Sequence, residues 1–332
     1  MTSPTTSATG QPAPQSAPQG APAPARYVEA EAFGGPEVLQ LREELVPAPG
    51  EGQVRLQVHA IGVNPIDLKI RSGARGGTAP FRLGYEVAGV VDAVGPGVTT
   101  VRVGEEVIAF RIDGGYASAL LVPAADVVPK PASLPWAEAA GLLLAGATAV
   151  HALEVTGVAE GDVVLLHGAA GAVGQAVIQL AGLRGARVIG TASERNHDLV
   201  RDLGAAPIRY GDGLVDRIRA AAQETGAPTA AIDAAGTEEA LTTSLALVDH
   251  DRIATVVVTP RAAEAGIKRL GGAAGADPGT AIRDAARAEL ARLAGEGLLR
   301  VRVVRELPLA DVQEAHRFVA ENHAAGKVVL LP

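Results

Sequence analysis

Cysteine is absent from this 332-residue chain, which excludes disulfides, thiolate nucleophiles and any metal centre built on Cys ligands. Aromatic residues are scarce, with four Tyr, four Phe and one Trp. The core must therefore be built from Ala, Val, Leu and Ile, and an aromatic beside a motif stands out. Positive charge is in deficit: 29 Lys and Arg against 37 Asp and Glu give a formal charge of −8. That balance argues against nucleic acid or an anionic membrane as partner. No stretch offers about 18 apolar residues free of charges and turn breakers, the longest candidate lying around Ala139 to Leu153. Residues 1–25 lack the basic start and apolar run of a secretory signal. A cytoplasmic protein is expected.

Residues 1–25 also hold six prolines and no charged side chain, a composition expected to form a disordered tail. The remaining length suits two domains with separate cores. Residues 26–135 read as short alternating strands split by Gly and Pro: VRLQVHAIGV (54–63), YEVAGVVDAVG (85–95), EEVIAF (105–110) and YASALLVP (116–123). This spacing predicts an antiparallel, barrel-like β domain. After Pro135 strands alternate with amphipathic helices: DVVLLHG, ARVIGTAS, PIRY, TAAID, RIATVVV and GIKRLGG. Six such strands predict a doubly wound parallel sheet over 136–279. The rest, 280–332, offers a helix (282–294), the strand LRVRVV, a helix (311–323) and the strand KVVLL.

The sharpest motif is VVLLHGAAGAVGQAVIQLA. An apolar strand runs into Ala169-Ala170-Gly171-Ala172-Val173-Gly174 and then a helix. The small residues keep the turn tight, Gly171 admits a pyrophosphate to the backbone, and Gly174 lets helix pack on strand. Free N–H groups at the helix start then receive the negative charge, so the motif predicts a dinucleotide site. An NAD-preferring site places an acid at the end of the second strand, but here stand Thr191, Ala192 and Ser193, followed by Arg195. Ser193 and Arg195 suit a 2′-phosphate and predict NADP(H). The competing reading leaves Arg195 in solvent, neutralised by Glu194. Tyr210, closing the third strand, reads either as a cofactor contact or as a half-buried edge residue.

With HAIGVNPIDLKIRSG (59–73), LGYEVAGVVDAVGPGV (83–98), GAAGAVG and the terminal GKVVLLP, the chain resembles the medium-chain dehydrogenase/reductase superfamily, most closely its zinc-independent quinone oxidoreductase branch. The resemblance implies a GroES-like β-barrel substrate domain completed by the C-terminal segment, a Rossmann cofactor domain, and a cofactor in the cleft between them. It also implies a homodimer joined through the edge strand near Ile267–Gly272. Zinc-dependent members carry Gly-His-Glu and a Cys at the metal; this chain has Gly84-Tyr85-Glu86, no Cys, and seven His without ligand spacing. No metal is expected, and each His reads as a surface or ordinary polar residue.

Without a Lewis acid, reduction of a plain carbonyl loses its polarising group, whereas a quinone or α,β-unsaturated carbonyl needs only hydrogen-bond donors for its developing oxyanion. By resemblance, Asn64 lies near the nicotinamide and substrate oxygen, where its amide can donate. It can equally cap the short helix IDLKIRSG, the role expected of Asp67. Tyr85, in the place of the lost zinc-ligand His, is either a phenol donor or a space filler. Glu86 and Arg71 read as structural. Thr148, Ala234, Ala235, Val257 and Val258 are expected to border the cofactor, with Asn322 and Lys327 closing it from the other side; Lys327 can also be a solvated charge. The loop GGAAGADPG (271–279) reads as a flexible hinge or lid, or as a plain linker. The function expected is NADPH-dependent reduction of a small quinone or enone, the alternatives being an enoyl or enone reductase of a biosynthetic route and a non-catalytic NADPH-binding protein.

Overall fold

The computed structural model describes residues 20–321 and 325–332. Eight strands form first: β1 (Ala23–Ala30), β2 (Leu39–Val46), β3 (Gln53–Val63), β4 (Phe81–Arg82), β5 (Glu86–Val94), β6 (Glu106–Phe110), β7 (Ala119–Pro123) and β8 (Val127–Pro129). The short helix α1 (Pro65–Arg71) follows β3. β1 pairs antiparallel with β2 and β4, while β3, β5, β6 and β8 line up in a larger sheet with β7 beside β3. Alternating Val, Leu and Ile of these strands fill one core around Leu56, Ile61, Val87 and Tyr116.

A helical link, α2 (Trp136–Ala139) and α3 (Leu143–Val155), leads into β9 (Val163–His167), α4 (Ala172–Leu183), β10 (Arg187–Ala192), α5 (His197–Asp202), β11 (Ala206–Arg209), α6 (Leu214–Thr225), β12 (Ala230–Asp233), α7 (Glu238–Leu247), β13 (Ile253–Thr255), α8 (Pro260–Glu264) and β14 (Lys268–Arg269). The six strands are parallel in the order β11-β10-β9-β12-β13-β14, the doubly wound order whose switch point lies beside β9. Strand residues alternate between two apolar layers, Val164 and Leu166 toward α3 and α4, Val163 and Leu165 toward α6 and α7. The sequence expectation of an α/β chain with this sheet and a GroES-like barrel holds.

The chain closes with α9 (Thr280–Gly295), β15 (Val303–Pro308), α10 (Val312–Ala320) and β16 (Lys327–Leu331). β16 pairs antiparallel with β3 and parallel with β15, so the last strands belong to the first sheet. The helix α9 packs on α3 and reaches β8; it spans the two halves, and the return to the barrel is completed only at β15.

Several elements differ from expectation. The tail read as ending at residue 25 already pairs at Ala23, opposite Val46, because main-chain hydrogen bonds between strands need neither charge nor bulk. Residues 1–19 lie outside the described ones. RIATVVV and GIKRLGG give only three- and two-residue strands, and LRVRVV enters the sheet only at Val303. Nor are the histidines all superficial: His151, His167 and His316 are buried. His316 Nδ1 accepts from Arg71 Nη1 at 3.1 Å and its Nε2–H donates to Tyr116 Oη at 3.0 Å, tying α10 to α1 and to the loop after β6.

Burial lowers the pKa of His316 to about 3 and also lowers that of His167. Both fold neutral, whereas the unfolded chain protonates them near 6.5, so their contribution is complete above that pH and falls as pH drops toward 3. Asp67, raised by burial from 3.8 to about 7, acts in the opposite sense over 3.8–7, one group against two. The melting temperature is expected to fall between pH 6.5 and 4; a flat or rising Tm by calorimetry contradicts this.

Candidate active site

Three turns at the carboxyl end of the parallel sheet converge. Gly168 sits in the left-handed region at φ 79°, where a β-carbon would lie 3.0 Å from the Ala234 carbonyl carbon. Val257 packs against Gly236 in turn. The first ladder bond of α4 runs from Gln175 N to Gly171 O at 2.8 Å, which leaves the amides of Ala172, Val173 and Gly174 as the orphan donors of the first turn. A side chain at Gly174 would collide with the Gly168 carbonyl. Gln175, which the motif reading overlooked, locks the turn by donating from Nε2 to Ala170 O at 2.7 Å. Asp233 braces the next turn, accepting from Ala235 N and Gly236 N at 2.9 and 2.8 Å. Above this cradle His167 Nε2 is a buried polar atom with no protein partner. Orphan amides facing a crevice at a helix N-terminus fit a dinucleotide pyrophosphate.

β10 and β11 finish side by side where the sequence reading puts the 2′-phosphate residues. Ala192 is in register with Arg209; Ser193 accepts from Asn196 Nδ2 at 3.1 Å, and Tyr210 is 53% exposed. Glu194 does not neutralise Arg195: it lies 3.7 Å from Arg209 Nε, and Arg195 makes no ion pair among the described residues. Arg209 joins this group only through the strand register, which no local pattern in the sequence reveals.

Across the cleft, the sequence reading of Asn64 needs correction. Its amide is spent internally, Nδ2 donating to Gly62 O at 3.3 Å and Glu86 Oε1 at 3.1 Å, while Oδ1 accepts from Lys327 Nζ at 2.6 Å. Lys327, expected at the cofactor or in solvent, is 3% exposed and also meets Glu86 Oε1 at 2.6 Å. The physical reason is charge: a buried ammonium needs a carboxylate and a further acceptor. Glu86 Oε2 accepts from Leu144 N at 2.8 Å, satisfying a first-turn donor of α3, the helix that carries buried Thr148. Asp67 does cap α1, accepting from Asn64 N at 2.8 Å. The Lys327 stem lines a groove shared with Gly141, Ala172 and Arg302, so this network borders the dinucleotide turn. Asn322 lies outside the described residues.

Tyr85 stands immediately before β5, half-buried, its phenol pushed upward in pKa by burial and by Asp113, with Arg75 opposing. It remains a neutral donor at neutral pH. The loop 271–279 is not a free hinge: Gly271 N donates to Asp277 O, and Asp277 holds Gly279 N at 2.8 Å and His151 Nε2 at 3.2 Å. Arg75 lies against its Gly272, so the loop borders the cleft mouth.

A dinucleotide turn at a sheet switch point, facing a barrel that supplies polar groups across a cleft, defines a nicotinamide-dependent oxidoreductase as the class. Residues 50–132 match the alcohol dehydrogenase GroES-like domain and 203–330 the zinc-binding dehydrogenase domain. The quinone oxidoreductase of Mus musculus is 31% identical over 322 residues, 92% of this chain and 97% of its own. A 2-haloacrylate reductase from a Burkholderia species is 43% identical over 180 residues, 52% of this chain and 54% of its own. The Escherichia coli quinone oxidoreductase, solved with NADPH, superposes with TM-score 0.78 at 27% identity, over 92% of this chain and all of that one. The chain belongs to the medium-chain dehydrogenase/reductase superfamily, in its quinone oxidoreductase branch. The zinc that one domain description implies does not fit the donors present: Tyr85 and Glu86 stand without a Cys, and Glu86 is bound to Lys327.

Lys327→Met is expected to cost about 3–5 kcal/mol, because it strands the Glu86 carboxylate in the interior. The double variant Lys327→Met/Glu86→Gln is expected to recover part of that loss. Urea unfolding of the four proteins checks this, and additive losses contradict it.

Proposed function

We propose that the protein is an NADPH-dependent, metal-free reductase of quinones or α,β-unsaturated carbonyls. The observation that carries this reading is the set of orphan amides at Ala172–Gly174 opposite a wall that offers the Tyr85 phenol and no set of metal donors. The bound cofactor supplies hydride. The chain holds its pyrophosphate at the Ala169–Gly174 turn and its 2′-phosphate at Ser193, Arg195 and Arg209, with Tyr210 beside the adenine. Thr148, Ala234, Ala235, Val257 and Val258 flank the nicotinamide half. Asn64 and Lys327 act as positioning residues through Glu86.

As hydride reaches the β-carbon or quinone ring, the π pair moves to the acceptor oxygen. There the Tyr85 O–H donates, stabilising the oxyanion and supplying the proton either directly or from solvent through itself. The Burkholderia relative is named a 2-haloacrylate reductase, which supports including conjugated alkenes among the acceptors. The reading also includes a cytoplasmic homodimer. β14 is the last strand in the order of the parallel sheet; Asp277 N already donates to Arg269 O there at 2.8 Å, so a two-fold contact near Ile267–Gly272 would include the 271–279 loop.

Stopped-flow NADPH oxidation, compared with NADH across quinones, enones and enoyl thioesters, tests this reading. Turnover with at least one class, unaffected by EDTA, is expected; no oxidation with any acceptor overturns it. Tyr85→Phe is expected to lower kcat about 10- to 100-fold with NADPH affinity unchanged. In the unmodified enzyme the alkaline loss of kcat is expected to lie above the range of an ordinary phenol, because burial and Asp113 push the Tyr85 phenol upward in pKa. An unchanged kcat in the variant returns Tyr85 to packing.

A further inference from the structure

Arg111 is the one non-glycine among the described residues with positive φ, at 62°. A β-carbon makes this region costly, and glycine or asparagine is the usual occupant. β6 ends at Phe110, in register with Glu86, and Ile112 N donates to Tyr85 O at 3.3 Å. The strained residue is therefore directly opposite Tyr85, at the wall of the cleft.

Its guanidinium is loosely held. A single contact of 3.2 Å joins Nη2 to Asp284 Oδ2, with both side chains about a third exposed. Asp284 gives its other oxygen to Arg287 at 2.6 Å. Beside it lies a second cation, Arg283, whose Nε donates to His151 Nδ1 at 3.3 Å and which forms no ion pair among the described residues. Arg75 also acts on Tyr85. Of the nearby acids, Asp277 accepts from Gly279 N and meets His151 while its charge also acts on Arg283, and exposed Asp113 acts on Tyr85; Arg111 keeps the single long contact to Asp284. A forked donor on a half-buried side chain, held by one long contact and backed by a second arginine, matches a carboxylate.

We propose that Arg111, supported by Arg283, binds a carboxylate on the acceptor, so that the preferred substrates are acidic: conjugated carbonyl compounds that carry a separate carboxylate. This rests on the reductase reading above. The redox step is unchanged. The acceptor gains hydride at its β-carbon and a proton, and NADPH ends as NADP⁺.

The test compares NADPH oxidation with trans-6-oxohept-4-enoate and with its methyl ester, in which two methylenes insulate the carboxyl group from the enone so that the reacting double bond is the same and the charge is removed. The unmodified enzyme is expected to favour the acid at least tenfold in kcat/KM. Arg111→Gly, which suits the positive φ and so folds, is expected to cut the acid-to-ester ratio at least tenfold, chiefly through KM. Arg111→Lys is expected to retain part of it. A ratio near one, or a ratio that survives Arg111→Gly, overturns the proposal. Oxidation by quinones with neither enone turned over overturns it while leaving the reductase reading standing. No oxidation with any acceptor removes both.

Discussion

The ammonium of Lys327, in the last strand, lies 2.6 Å from Asn64 Oδ1 and 2.6 Å from Glu86 Oε1, joining residues up to 263 positions apart in a buried cluster. Glu86 passes the connection on to the first turn of α3 through Leu144 N. One charge balance thus fixes the end of β3, the start of β5, the C-terminal strand and the helix that leads into the dinucleotide sheet. The pair is costly to desolvate and more costly to break, so it acts less as a source of net stability than as a constraint on where the barrel sits relative to the cofactor turn.

That constraint shapes the chemistry. Because Asn64 is consumed in holding Lys327, the wall facing the sheet is left with the neutral Tyr85 phenol and a rim of arginines. A neutral donor serves an acceptor whose negative charge develops on a conjugated oxygen. The strained Arg111 fits the same picture: the backbone cost is borne at the cleft wall, where such outliers cluster.

Much of this was legible in the residues. The apolar run Val163–Leu166 followed by small residues through Gly174 reads as strand, turn and helix because close packing leaves no alternative there, and the zero cysteine count already separated this chain from thiolate-zinc chemistry. What stayed hidden depends on long-range pairing. Lys327 looks like a solvated charge until β16 is placed against β3. Arg209 looks like a strand end until its register with Ala192 is known. His316 looks ordinary until Tyr116 and Arg71 close around it. The 271–279 loop looks flexible by composition because nothing local shows that Asp277 meets His151 from another helix.

The central claim is hydride transfer from a cofactor held at the Gly171–Gly174 turn to a conjugated carbon, without metal. The most direct measurement is isotopic: NADPH deuterated at the transferable C4 position, mixed with an enone in ordinary water in the presence of EDTA, and the product read by mass spectrometry and NMR. The account predicts one deuterium at the β-carbon and a solvent proton at the α-carbon. Bound NADPH with no deuterium transferred to any acceptor, or transfer that stops when EDTA is added, contradicts it.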